Sequence, residues 1–297
     1  MYHFRRYFSL LAVLVTGLIL VGNSQAETRF YKPYVLAKQA TGDFADILEQ
    51  TRVALKQGGM TIVGEYSPYP GAHSLVVTNE ALKQTATRSE LGGYGAALRV
   101  GVTRTDEGVQ IAYTNPEYMA IVYRMADSLA GVTASMAGAL GRMQEFGSEY
   151  GAPEFDLKSY HYMIFMPYFT DQLALAEYDG YDSAVQAVES GLAAGRSGTQ
   201  KVYRIDLPGK DETLFGVALS AGEGSDQAVM ATTDIAPLKH TPHLPYEMLV
   251  SGGKVYALHG KFRIAQSFPD LTMGTFMKIS KAPDAIKAAL QDVAGRQ

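Results

Sequence analysis

The 297-residue chain carries 26 Lys and Arg against 30 Asp and Glu, a formal net charge of −4, and contains neither cysteine nor tryptophan. An acidic balance with scattered charges excludes the basic stripe that nucleic-acid binding needs. The lack of cysteine excludes disulfide scaffolds, thiol nucleophiles and thiolate metal sites, so stability must come from the core.

At the start, Arg5 and Arg6 precede an apolar run from Phe8 to Val21. That run is shorter than the roughly 18–20 residues of a spanning helix. Ser24-Gln25-Ala26 puts small residues where a signal peptidase cuts. Residues 1–26 therefore read as a signal peptide, and the mature chain as an exported, periplasmic or secreted protein. An uncleaved N-terminal anchor is the alternative. Without Arg5 and Arg6 the 26 basic residues fall to 24 against 30 acidic ones, a net charge of −6. No later apolar run is long enough to span a bilayer.

Tyr31 to Ala37 reads as a first strand. Asp43 then caps a helix whose apolar stripe is Phe44, Ile47, Leu48, Thr51 and Leu55, and Gly58-Gly59 ends it. Met60 to Tyr66 and Ser74 to Thr78 are strand-like, Glu80 to Thr87 is a short polar helix, and Asp106-Glu107-Gly108 turns a hairpin. The same order returns later. Tyr181, Ala184, Val185, Val188 and Leu192 repeat the helical stripe. Thr199 to Leu207 and Leu214 to Ser220 repeat the strands, Ser225 to Thr232 the short helix, and Ser251-Gly252-Gly253 the hairpin turn. A repeat of this size predicts an α+β protein of two related sandwich domains. Residues 27–125 form the first copy, 126–170 a helical and aromatic connector, 171–280 the second copy and 281–297 a C-terminal helix opened by Pro283. Counting along the hairpins puts Tyr113 and His259 at corresponding positions. From the end of the first copy into the connector, apolar residues from Tyr118 to Met143 keep a helical period, which predicts one long helix with a weak point near Gly138 to Gly141.

One stretch adds a resemblance. The helix end Leu55-Lys56-Gln57-Gly58-Gly59-Met60-Thr61-Ile62-Val63 resembles the opening of the bacterial domain of unknown function DUF302. Leu75-Val76-Val77-Thr78-Asn79 and the segment from Arg99-Val100-Gly101-Val102 to Tyr113-Thr114-Asn115-Pro116 are similar to the rest of that domain. The second copy matches weakly, with Gly260-Lys261-Phe262 in place of Thr114-Asn115-Pro116. The resemblance implies a compact sandwich that occurs in tandem and tends to pair, so a homodimer is an expectation. It implies no established activity.

No signature of a metalloprotease, serine hydrolase or phosphate loop is present. His161, Met163 and Met166 offer soft and borderline metal ligands, as do the imidazoles of His240 and His243. A core role for Met163 to Met166 and a solvated loop for His240 to His243 are the plainer readings, and no cofactor is expected. Tyr113, Asn115, Tyr160, His161, Tyr162 and Met163 gather aromatic and polar groups around the connector. That combination suits a small or hydrophobic ligand at the domain junction, and packing of the interface between the copies is the plainer reading. A histidine-dependent enzyme built on His161 or His259, and a scaffold docking a periplasmic or membrane partner through the Gly131 to Gly141 helix, are the other readings.

Overall fold

The structure, a computed structural model, describes residues 28–295, and the predicted signal peptide lies outside them. A short β1 (Phe30–Tyr31) precedes β2 (Tyr34–Ala40), α1 (Phe44–Gln57), β3 (Thr61–Tyr66), β4 (Ala72–Thr78), α2 (Glu80–Thr87), β5 (Leu98–Thr105), β6 (Gly108–Thr114) and α3 (Pro116–Val122). The connector holds α4 (Ala130–Leu140), β7 (Gln144–Phe146), β8 (Ala152–Pro153) and α5 (Glu154–Lys158). There follow β9 (Leu173–Glu177), α6 (Tyr181–Ala193), β10 (Thr199–Asp206), β11 (Glu212–Leu219), α7 (Asp226–Thr233), β12 (Tyr246–Ser251), β13 (Lys254–Ala257) and α8 (Gly260–Ser267). The chain is closed by α9 (Met273–Lys278) and α10 (Ala282–Val293). It is an α+β fold. Among the described residues, no helix is long and apolar enough to cross a membrane.

Two large antiparallel sheets result. One runs β3-β4-β5-β6-β2-β7 and the other β10-β11-β12-β13-β9. Apart from β7, both follow one strand order. They also share their irregularities: an extra residue bulges at Val63 in β3 and at Val202 in β10. A second bulge falls at Ala37 in β2 and at Leu175 in β9. The sequence reading missed β9, because Leu173-Ala174-Leu175-Ala176-Glu177 is short and poor in β-branched residues.

Strand periodicity explains the layering. Along β5, Leu98, Val100 and Val102 point to one core, with Leu75, Val77, α1 and α4. Along β12, Met248 and Val250 point to another, with Phe215, Val217, α6 and α10. The alternate residues of both sheets meet in a third core, where Val76, Tyr94 and Ala97 touch Tyr203, Leu214 and Leu249. The layers are helices, sheet, sheet, helices. Strands covered on both sides carry near-continuous apolar runs, which is how β11 reads.

The sheets approach closely where side chains are missing. A Cβ on Gly64 would lie 2.1 Å from the Val202 carbonyl oxygen of the facing sheet. Gly64 and Tyr203 hold the same register position in the two sheets, as do Arg99 and Glu247. Position-equivalent residues that touch one another mark a local two-fold relation.

Two expectations are corrected. The connector is not one long helix. Arg124 (φ 51°) and Leu129 (φ 59°) are left-handed, and they end α3 and set off α4. The apolar period survives because it serves two cores: Tyr118, Val122 and Tyr123 lie between the sheets, while Leu129, Val132 and Met136 lie under α1. The hairpin alignment shifts by two residues. Gly101 pairs with Ala112 and Leu249 with Tyr256, so Tyr113 corresponds to Ala257 and His259 to Asn115. β12 is two residues shorter than β5, so counting from the turn misled. Asn115 and His259 are both N-cap residues, opening α3 and α8.

Candidate functional site

A cavity of about 460 Å³ opens at the junction of the halves. Phe146 to Glu149, just after β7, form one wall. The loop after α7, with Ile235, Ala236, Pro237, Leu238 and His240, forms another, and Phe268 to Thr275 close the third. Most of the lining is apolar.

The loop is fixed from both sides. Gln110 of β6 donates to the Lys239 carbonyl (2.7 Å) and accepts from its N–H (2.8 Å). Lys239 Nζ donates to the Ala236 carbonyl at 2.8 Å. Asp234, at the end of α7, accepts the His240 backbone N–H at 3.0 Å and lies 2.9 Å from His240 Nδ1. The carboxylate assigns the Nδ1 proton and orients the ring. The imidazole packs against Tyr34, Phe146 and Phe268 at centroid distances of 5.1, 5.5 and 4.8 Å. Its Nε2 has no hydrogen-bond partner among the described residues, and His240 is part of the cavity lining.

Behind this wall lies a charged network between the sheets. Glu247 of β12 pairs with Arg99 of β5 and, at 3.3 Å, with Arg263 of α8. Tyr203 OH donates to Glu247 at 3.4 Å. Arg99 Nε donates to the Pro242 carbonyl (2.9 Å) and Arg263 Nη1 to Ser267 Oγ (2.9 Å). His243 is wholly buried, with Nδ1 3.2 Å from Arg263 Nη1 and Nε2 3.1 Å from Tyr246 OH. Burial and the Arg263 and Arg99 charges hold its imidazole well below the ordinary histidine range. It is therefore neutral, accepts from Arg263 and donates to Tyr246. Two guanidinium groups against one carboxylate leave a net positive charge here.

The residues singled out from sequence are dispersed. Tyr113 points into the core beneath the outer helices and donates to the Gly141 carbonyl at 3.2 Å. Asn115 caps α3 and donates to the Lys32 carbonyl at 2.9 Å. Tyr160 and Tyr162 are anchored to the Ala265 and Leu271 carbonyls at 2.9 and 2.5 Å, and His161 stacks on Tyr168. Tyr160 and Tyr162 lie against α8 and the segment just after it, apart from Tyr113 and Asn115. None of the six lines the junction cavity. Met163, Ile164 and Phe165 are exposed rather than core-filling, Phe165 fully so. His240 and His243 are buried rather than solvated, because Pro242 and Thr241 press against Gly101 of the facing sheet.

Among the described residues, no three His, Asp or Glu side chains converge as metal ligands. Met163 and Met166 lie beside His161 without such a set. His243 has both nitrogens engaged beside two arginines, which disfavours a cation. Among the described residues, neither His161 nor His259 hydrogen-bonds a carboxylate; His161 contacts the Ser159 carbonyl and His259 accepts the Lys261 N–H. The cavity residues Phe146, Leu238 and Phe268 and the partner Asp234 escaped the sequence reading. The spacing Asp234, His240, His243 around Pro242 was the available signal. Comparison with family models, with curated proteins and with solved structures finds no match.

Proposed function

We propose that this protein is a non-enzymatic binder of a small, largely apolar molecule, which it holds in the cavity between its halves. One observation carries the reading: a concave space of about 460 Å³, walled by Phe146, Leu238, Phe268 and Leu271, with one oriented imidazole facing in. Ligand sites commonly have that form. Binding is favoured over nucleophilic catalysis because, among the described residues, no serine or threonine hydroxyl is hydrogen-bonded to His240. The binder works outside the cytoplasm, a reading supported by Arg5, Arg6, the apolar run and Ser24-Gln25-Ala26. Membership of the tandem DUF302 type remains part of this proposal, supported by Leu55 to Val63 and by the element order.

Native mass spectrometry of protein isolated from its own source tests the reading. A mass excess from a bound small molecule is expected, and it should disappear in Leu238→Trp, which fills the cavity. An excess that persists in Leu238→Trp would refute the site. The bare chain mass, with no apolar probe raising the melting temperature, would refute binding altogether.

A further inference from the structure

We infer that the junction cavity selects a neutral or cationic apolar molecule bearing an O–H or N–H donor, and rejects carboxylates. This rests on the binding reading above and names the chemistry that the site accepts.

The polar groups facing the cavity are mostly acceptors. Asp234 accepts from His240 Nδ1, and in that Nδ1–H tautomer Nε2 presents a lone pair. Thr233 Oγ1 already donates its hydrogen to the Val229 carbonyl (2.9 Å), which leaves it accepting. Ser148 Oγ donates to Asp270 at 3.1 Å, and the Glu149 N–H donates to the same carboxylate at 2.6 Å. Thr272 and Thr275 hydroxyls bond each other at 3.1 Å, so one of the pair keeps a free hydrogen. Among the described residues, the charged side chains in the lining are Glu149 and Asp270, both acidic, and no Lys or Arg lines it. Lys239 Nζ is committed to the Asp234 and Ala236 carbonyls, and Arg99 and Arg263 in the sheet interface to Glu247, Pro242, Ser267 and His243.

A ligand that offers only acceptors therefore leaves His240 Nε2 unpaired in an apolar wall, which is costly. An anion adds repulsion from Asp270 and Glu149. A ligand with a hydroxyl or amine hydrogen satisfies Nε2 while its apolar body covers Phe146, Leu238 and Phe268. Sites built around one buried polar group discriminate strongly against analogues that cannot pair with it.

Matched eight-carbon probes test this by titration calorimetry: 1-octanol, octylammonium, octanoate and octane. Octanol and octylammonium are expected to bind at least tenfold tighter than octanoate. In His240→Phe, which keeps the wall and removes the acceptor, octanol should lose its advantage over octane while octane affinity holds. Octanoate binding as tightly as octanol would overturn the selectivity and leave the binding reading standing. Octanol keeping its full advantage in His240→Phe would remove His240 from the site. No binding of any probe, octane included, would overturn both.

Discussion

Replacing Glu247 by Gln perturbs the contact that joins the sheets. Glu247 is 4% exposed and accepts from Arg99, Arg263 and Tyr203. Glutamine keeps the shape and removes the charge. Two guanidinium groups would then share a dry interior with no counter-charge, one of them from each half. Breaking a buried pair in this way costs about 3–5 kcal/mol. For a chain of this size, each kcal/mol lowers the melting temperature by roughly 2–4 °C. A fall on the order of 10 °C is expected in thermal unfolding followed by far-ultraviolet circular dichroism. The triple replacement Arg99→Met, Glu247→Leu, Arg263→Met should recover much of the loss, because no charge is left stranded. A Glu247→Gln protein melting within about 2 °C of the parent would refute the idea that this network holds the halves together.

Asp226 provides a pH test. It is 2% exposed, accepts Tyr66 OH at 2.8 Å and the Leu219 N–H at 3.2 Å, and burial raises its carboxyl to about 7. Between the ordinary carboxylate range and that value the folded state keeps a proton that the unfolded state gives up. Stability from this group is thus full in acid and is lost as pH rises toward 7. The parent should lose about 1.4 kcal/mol per pH unit relative to Asp226→Asn between pH 5 and 7, by urea unfolding. Parallel curves for the two proteins would contradict the burial argument. At Gly64, alanine would press a Cβ against the Val202 carbonyl and spread β3 from β10. A destabilisation of about 1–3 kcal/mol is expected, and a neutral effect would mean that the sheets part easily. Phe165→Ser removes an exposed ring and should change stability by less than about 0.5 kcal/mol; a larger loss would show that the ring is packed.

Element order was legible because it depends on local signals. Asp43 caps α1 through the Ala45 and Asp46 N–H groups, as its place before an apolar stripe indicates. The hairpin turns at Asp106-Glu107-Gly108 and Gly252-Gly253 were visible for the same reason. Periodicity alone could not show that Tyr118 to Met143 divides between two cores, because left-handed Arg124 and Leu129 carry no glycine signal. The site was less legible still. The sequence concentrates tyrosines at Tyr113, Tyr160 and Tyr162, yet the fold uses their hydroxyls to tie backbone carbonyls. The cavity draws on Phe146, Leu238, His240 and Phe268, whose meeting depends on long-range packing of the two sheets.

The chain has no tryptophan, so Ile235→Trp places a single, selectively excitable indole on the cavity rim, at a position that is already 73% exposed. Titrating that protein with 1-octanol tests occupancy of the cavity directly. A saturable blue shift in Ile235→Trp, absent when the reporter stands instead at exposed Ile164, is the predicted result. No shift at either position, or the same shift at both, would contradict a ligand site between the halves.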